Sequence, residues 1–368
     1  MNFTKPALLL DKKKCIENIS FMSEKAEYHN LILRPHFKTH QSRIIGKWFR
    51  KYGTDKITVS SVSMAEYFAR DGWNDITIAF PFNINEIAET NQLAKKIKLQ
   101  LTVCSADTLE FIDHNISQHV GICIKTDTGY NRTGVSWKDT VEIEKMLKII
   151  IKSRNMSFYG FMVHNGHTYK ASDVEKIRSI HDESNSALTT LRSKFGHMVP
   201  DMILSTGDTP ACSISENFKG IEEIRPGNYV FYDLTQYHIG SCKSSQIAVA
   251  LASPVVAKHH ERLEIVIYGG AAHLSKEYLP YRGQKIFGQV VDLTAEGWSD
   301  PLPGIYVTGL SQEHGIIKCD EKFFSRIKVG DFLGILPVHS CLTADLMKEF
   351  TTTKGEKADH LSSSKQGC

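Results

Sequence analysis

"LILRPHFKTH", residues 31–40, decides how the chain is read. A run of aliphatics ends, and Arg34, His36, Lys38 and His40 follow within seven residues. The apolar part suits a buried strand. A strand that runs into ionisable side chains either surfaces with scattered charge or delivers a lysine into a site, and the rest of the chain must choose between these readings.

The pattern repeats. "ITVS" (57–60), "ITIAF" (76–80), "LQLTV" (99–103), "GICIKTD" (121–127), "FYGFMV" (158–163), "MILST" (202–206) and "IEEIRPG" (221–227) are further short apolar runs. Amphipathic stretches of helical period lie between them: "RIIGKWFRKYG", "SMAEYFARDGW", "INEIAETNQLAKKI", "TVEIEKMLKIIIKS" and "DVEKIRSIHDESNSALTTLRSKF". Several begin near Ser, Asn or Asp and stop near Gly, as helix ends do. Strand–helix alternation implies a parallel sheet, and eight units predict a closed (β/α)₈ barrel of the TIM type. "IEEIRPG" fits least well, because it carries two glutamates.

After about residue 235 the character changes. "SQIAVALASPVVAKHH", "RLEIVIYGG", "KIFGQVVDLT", "GIYVTGL", "GIIKCD" and "FLGILPV" are β-rich and separated by Gly, Pro and polar turns. They predict a second, mainly antiparallel β domain, to which "PALLLD" near the start adds a strand before a helix leads into the barrel. The expected division is a barrel over 20–235, a β domain over 1–19 and 236–350, and a polar, flexible tail over 351–368.

Composition narrows the function classes. The 368 residues are 41% hydrophobic and 23% charged, with net charge +3. No charge excess demands nucleic acid or an anionic membrane, and no apolar run approaches a membrane span. The start lacks the pattern of a secretory signal. Eight cysteines (Cys15, Cys104, Cys123, Cys212, Cys242, Cys319, Cys341 and Cys368) include no C-x-x-C pair, which fits reduced thiols in a cytoplasmic protein.

Barrel enzymes carry their chemistry on the loops after the strands. Here Lys38 follows the first run, Ser60 and Ser61 the second, and Asp127 and Arg132 the fifth. His164, His167 and Tyr169 follow the sixth, "STGDTP" the seventh, and Arg225, Asn228, Tyr229, Tyr232 and Asp233 the eighth. "STGDTP" (205–210) is a hydroxyl-rich turn whose N–H groups can cradle a phosphate, or an ordinary capped turn. Burial at a barrel mouth and the neighbouring Arg34 and His36 would lower the pKa of Lys38 and favour the free amine.

Taken in order, "PALLLD", "LRPHFKTH", "ITVSSVSMAEYFARDG", "DTGYNRTGV", "VHNGHTY", "STGDTP", "EIRPGNYVFYD" and "SQEHG" resemble the alanine-racemase-like, fold-type III pyridoxal phosphate enzymes. The nearer branch is the D-threonine aldolase and D-serine dehydratase family. The resemblance implies a barrel plus a β domain, a homodimer, and Lys38 as the cofactor's anchor. It implies a phosphate cup of Thr206, Gly207, Asp208 and Thr209 with Tyr232 nearby. Arg132 faces the cofactor ring oxygen on this reading, His164 packs against the ring, and Tyr169 reaches ring or substrate. His36 and His40 are candidates for lining the site.

"LPVHSCLTADLM" carries His339 and Cys341, one residue apart. On an extended segment both would face one side, and imidazole with thiolate suits Zn²⁺, although by itself H-x-C is a poor motif and the stretch alone reads first as a buried Cys beside a polar His. The resemblance implies a divalent metal here, Zn²⁺ or Mn²⁺, with positions open to substrate. The aldolase branch tends to pair His with a carboxylate and the dehydratase branch His with Cys, so Cys341 favours dehydration. "SQEHG" (311–315) borders substrate or is a polar turn. "YGGAAHLSKEY" (268–278) departs from the family's usual Asp-Ala-Gly-Ser character.

The expected activity is pyridoxal-phosphate- and metal-dependent dehydration of a small D-3-hydroxy amino acid, such as D-serine or D-threonine, to a 2-oxo acid and ammonia. The alternatives are retro-aldol cleavage, racemisation, and a non-catalytic cofactor-binding protein.

Overall fold

The computed structural model describes residues 3–362. All eight strand runs form strands, in the order expected. Ile32–Leu33, Ile57–Val59, Asp75–Pro81, Lys98–Val103, Val120–Asp127, Met156–Met162, Ile203–Thr206 and Glu223–Ile224 make one parallel sheet. The sheet closes on itself. Glu223 and Ile224 pair with Ile32 and Leu33, while a few residues on His36 bridges Thr58. Phe37 N–H donates to the Thr58 carbonyl and Thr58 N–H to that of Pro35. Closure removes the two sheet edges that an open sheet would leave.

Capped helices connect the strands, and their caps were visible as residue types. Ser61, Ser105, Asp139 and Asp173 each accept a backbone N–H at the start of Val62–Ala69, Ala106–Asn115, Thr140–Lys152 and Val174–Phe195. Ser61 is thereby a helix cap rather than a group in a site.

The barrel interior is not wholly apolar. Arg34 is fully buried and reaches three other strands: Nε to Glu223 at 2.7 Å, Nη1 to Asp75 at 2.6 Å, and Nη2 to Tyr159 Oη at 2.9 Å. Tyr159 Oη donates to Glu223 at 2.7 Å and Ser205 Oγ to its other oxygen at 2.6 Å. The two glutamates of the eighth run are thus explained. Glu223 faces inward onto Arg34. Glu222 faces the helix layer, with both its oxygens on Arg192.

Among the described residues, 21–38 and 49–227 form one compact unit, and 3–20, 39–48 and 228–362 form another. The second unit is built on an antiparallel sheet in which Val249–His259, Glu264–Tyr268, His314–Lys318, Tyr306–Leu310, Gly288–Val291 and Phe332–Pro337 follow one another. Val249–His259 pairs with both Glu264–Tyr268 and Phe332–Pro337, so these six strands also close into a ring. Leu251, Ile265, Ile267, Val290, Val307, Ile317 and Ile335 fill it. Ala7–Leu10 joins Val249–His259, as expected of "PALLLD".

The flexible tail expected from 351 is corrected over its described part. Phe350–Thr352 pairs in parallel with Ala7–Leu10, and Lys357–Ala358 pairs back on it. Thr351, Ala358 and His360 are buried. Asp359 accepts from Ser42 Oγ at 2.7 Å, Ile44 N–H at 3.0 Å and Arg43 N–H at 3.2 Å, capping the helix Arg43–Arg50 from a distant part of the chain. Leu361 N–H donates to the Gln41 carbonyl at 2.8 Å. Polar composition misled here because these side chains work as partners for backbone groups. Residues 363–368 lie outside the described residues.

Removing one partner of a buried ion pair strands the other, at about 3–5 kcal/mol. Arg34→Ala and Glu223→Ala should each lower stability by that much in urea titrations. Burial alone would raise the Glu223 carboxyl, but Arg34 and the hydroxyl donors outweigh it and hold it below the usual range; Asp75 beside Arg34 behaves likewise. Depressed carboxylates stabilise the fold above their unfolded pKa of about 4 and lose that contribution as pH falls through the folded values. The urea midpoint should therefore drop as pH is lowered below about 4. Asp359→Ala, which removes a helix cap, should cost about 1 kcal/mol.

Candidate active site

The carboxyl ends of the barrel strands gather the ionisable side chains. Phe37 is buried against Phe49, Phe68 and Trp73 in the helix layer. His36 and Lys38, on either side of it, are linked by Lys38 N–H donating to His36 Nδ1 at 3.4 Å. Burial, then the charges of Lys38, Arg225, His164 and Lys125, hold His36 well below its ordinary pKa. It is a neutral imidazole at neutral pH.

Lys38 itself is exposed, so the protein does not bury it as expected. The desolvated lysine is Lys125, on Val120–Asp127. It is 5% exposed, and burial, then Arg225 and Arg132, push its pKa well below normal. Sequence reading passed over it, though the signal was the one that marked Lys38: a lysine closing an apolar run, here "GICIK".

His164 follows the sixth strand. Its Nδ1–H donates to the Gly207 carbonyl at 2.8 Å, which leaves Nε2 as an acceptor. Burial and the charges of Lys125 and Lys38 keep the ring neutral. Arg132 lies on the exposed loop after the fifth strand, its guanidinium over the Tyr130 ring at 4.9 Å. Asp127 shapes that loop by accepting from Gly129 and Asn131 N–H.

"STGDTP" forms a turn into the short helix Thr209–Ile214. Asp208 caps that helix, accepting from Ala211 N–H at 2.8 Å and Thr168 Oγ1 at 2.9 Å. Burial raises its carboxyl to about 6 against those donors. Tyr169 Oη accepts from Thr209 N–H at 3.3 Å, so Tyr169 stands at the turn itself. A Cβ on Gly207 would come within 2.7 Å of the Arg225 backbone nitrogen, which reserves that position for glycine. Arg225 is buried beneath, with Nε on Ser205 Oγ at 2.7 Å and Nη2 on the Val163 carbonyl at 2.6 Å.

Does this region fit pyridoxal phosphate? Thr206 Oγ1, Thr209 Oγ1 and Asp208 Oδ2 are buried polar atoms without a protein partner. Buried polar atoms normally have one, and two hydroxyl donors at one turn suit phosphate oxygens. The basic groups Lys38, Lys125, Arg132 and Arg225 raise the potential at the same end of the barrel, which favours a polyanion. The residues fit.

The second unit holds the other candidates. His339 and Cys341 were expected on an extended segment. Instead the strand Phe332–Pro337 ends, His339 is the N-cap of Ser340–Met347, and Cys341 lies in that helix's first turn. The side chains still meet, since His339 is hydrogen-bonded to Cys341. His339 Nδ1 is 2.7 Å from Glu277 Oε2. Burial lowers the His339 pKa, but Cys341 and Glu277 outweigh it and raise it to about 11. Asn228 Nδ2 donates to Cys341 Sγ at 3.4 Å and to Asp233 at 2.7 Å. Cys341 Sγ is also 3.3 Å from the hydroxyl of Thr39, the residue after Lys38 in sequence.

Among the described residues no group of three His, Cys, Asp or Glu side chains could hold a metal. His339 and Cys341 pair imidazole with thiolate, a donor set that suits Zn²⁺.

Tyr232, also in this unit, is fully buried with φ +48°, a conformation a bulky residue rarely adopts. His40 belongs to this unit as well. It is buried near Asp359 and His360, and its Nδ1 accepts from Ser42 N–H. The described cysteines are all free, and no described helix is long and apolar enough to cross a membrane.

Comparison with known proteins agrees with this geometry. A family model described as "Alanine racemase, N-terminal domain" matches residues 10–234, and one described as "Putative serine dehydratase domain" matches 248–353. D-threo-3-hydroxyaspartate dehydratase of Delftia sp. is 27% identical, with 92% of this chain and 91% of that protein aligned. D-serine dehydratase of Dictyostelium discoideum is 28% identical, with 95% and 93% aligned. The Delftia enzyme's solved structure superposes with TM-score 0.91 over 98% of both chains. D-threonine aldolase of Filomicrobium marinum, 19% identical, shares the fold at TM-score 0.83, over 97% of this chain and 94% of its own. Solved structures of D-threo-3-hydroxyaspartate dehydratase that superpose equally well include a His→Ala variant and a Cys→Ala variant, the latter in a metal-free form, at positions separated by one residue.

Replacing a buried lysine by an apolar side chain of similar length removes a desolvation cost. Lys125→Met should keep the fold and raise the urea midpoint, by on the order of 1 kcal/mol in stability. Gly207→Ala, forced against the Arg225 backbone, should lower it.

Proposed function

The chain belongs to the alanine racemase N-terminal domain family, and we propose that within it this protein is a pyridoxal-phosphate-dependent lyase that dehydrates a small D-3-hydroxy amino acid. The observation that carries the reading is the pair of buried, partnerless hydroxyls of Thr206 and Thr209 on a glycine turn, at the barrel end that also carries Lys38, Lys125 and Arg225. That end offers what a phosphorylated aldehyde needs: hydroxyl donors for the phosphate and a lysine for the aldehyde.

On this reading Lys38 anchors the cofactor, and Thr206, Gly207, Asp208 and Thr209 hold its phosphate, with Tyr169 and Tyr232 alongside. Bound there, pyridoxal phosphate supplies an electron sink for the charge left when the α-proton departs. The Lys38 amine, free once the substrate amine has replaced it on the aldehyde, would take that proton as general base. His164, neutral and fixed in one tautomer by the Gly207 carbonyl, would pack against the bound ring. Arg132 would face the ring oxygen.

His339 and Cys341 would hold a divalent ion, Zn²⁺ in our reading, and that ion would supply Lewis acidity toward the departing β-hydroxyl. The substrate loses its α-hydrogen and β-hydroxyl as water. The resulting enamine tautomerises to the imine, which hydrolyses to a 2-oxo acid and ammonia.

Two observations favour dehydration over retro-aldol cleavage. Cysteine rather than a carboxylate stands at position 341. The relatives aligned at 27–28% identity are named dehydratases, whereas D-threonine aldolase of Arthrobacter sp. is 22% identical.

D-Threonine separates the two reactions. We expect 2-oxobutanoate and ammonia; glycine and acetaldehyde would replace this reading with the aldolase one. A panel of D-serine, D-threonine and D-threo-3-hydroxyaspartate identifies the preferred substrate. Lys38→Ala should abolish turnover and the visible absorbance of bound cofactor. Thorough chelation should abolish turnover and leave that absorbance in place, and full activity after chelation would exclude the metal's role.

A further inference from the structure

We propose that Glu277 is a positioning residue for the metal site: it holds the His339 imidazole so that Nε2 is presented, beside Cys341, to the ion. The proposal rests on His339 and Cys341 being the ligands.

Glu277 lies in "YGGAAHLSKEY", the stretch that departs from the family's usual character. In the structure this stretch is firmly seated. Gly269, Ala271 and Ala272 N–H donate to the carbonyls of Glu313, Ser311 and Gln312 at 2.8–3.0 Å. A Cβ on Gly270 would come within 2.5 Å of the Ser311 and Gln312 carbonyl oxygens, so the two backbones are in direct contact. Leu274 is buried, and its carbonyl accepts from Thr343 Oγ1, on the helix that His339 caps. Glu277 N–H then donates to Ser275 Oγ at 3.2 Å, where Ser275 turns the chain with φ +73°. These anchors fix the backbone from which the carboxylate reaches His339.

The geometry is that of a ligand's outer partner. Glu277 Oε2 lies 2.7 Å from Nδ1, which leaves Nε2 as the ring nitrogen for the ion. A histidine ligand usually donates its other N–H to a carboxylate or carbonyl, which fixes its tautomer and orientation and makes it a better donor. Fold stability does not account for the pair. The Glu277 side chain is 53% exposed, and an exposed ion pair contributes about 0–1 kcal/mol.

The test is metal affinity, measured apart from turnover. Protein carrying its cofactor is stripped with a chelator, and Zn²⁺ alone is titrated back against a chromogenic competitor. Glu277→Ala should bind Zn²⁺ about 10–100-fold more weakly than wild type, with unchanged circular dichroism and thermal midpoint. Glu277→Gln, which keeps an oxygen acceptor, should recover most of the affinity. Should the alanine variant fail to fold, Glu277→Asp takes its place: one methylene shorter, it should bind more weakly than the glutamine variant. Wild-type affinity in the alanine variant, or in the aspartate variant where that replaces it, overturns the proposal if His339→Ala has lost the metal. Wild-type affinity in His339→Ala overturns the ligand assignment beneath it.

Discussion

The ion pair between Arg34 and Glu223 governs the barrel from inside. Both side chains are fully buried. Their strands are neighbours where the sheet closes, and Arg34 extends from there to Asp75 and Tyr159 on strands three and six. Such a pair is weak evidence for stability, because burial takes back much of what attraction gives. Its effect is on register. A one-residue slip of either closing strand would send one charge outward and leave the other without its closest opposite charge across the seam. We take the network to specify which residues end each strand, and hence that His36, Lys38, His164 and the "STGDTP" turn emerge together.

Much of this was legible in the sequence. The eight strand runs were found because buried parallel strands are continuously apolar, and the helices because their faces repeat and their caps are short polar residues. Three things were hidden for physical reasons. Closure of the second unit depends on pairings between strands far apart in sequence, which local pattern does not encode. The 351–361 segment looked solvated because its side chains are polar, yet those side chains and backbone groups serve distant partners. The electrostatics of the lysines depends on depth within the barrel: the run that ends at Lys38 leaves it exposed, and the run through Lys125 buries it.

Within the site the legible part was chemical type and the illegible part was local geometry. His339 and Cys341 were chosen as a pair because extended chain puts alternate residues on one face. They meet instead because one caps a helix and the other occupies its first turn. Asn228, Asp233 and Ser340 tie that junction together through buried hydrogen bonds. The barrel fold is shared by dehydratases, an aldolase and racemases among the solved structures. Whatever distinguishes their chemistry therefore resides in side chains such as these, and fold likeness alone does not supply it.

The capping of Arg43–Arg50 by Asp359 also bears on how the protein is made. Ser42 and Asp359 are 317 residues apart. A nascent chain emerges from the ribosome in order, so until Asp359 has been made the helix just after Lys38 has only its local cap, Ser42 Oγ accepting from Ile45 N–H. Until then the Arg43 and Ile44 N–H groups lack the carboxylate that accepts from them in the folded chain. The barrel strands can assemble during that time, but the segment downstream of the lysine gains its carboxylate clamp only once residue 359 is in place.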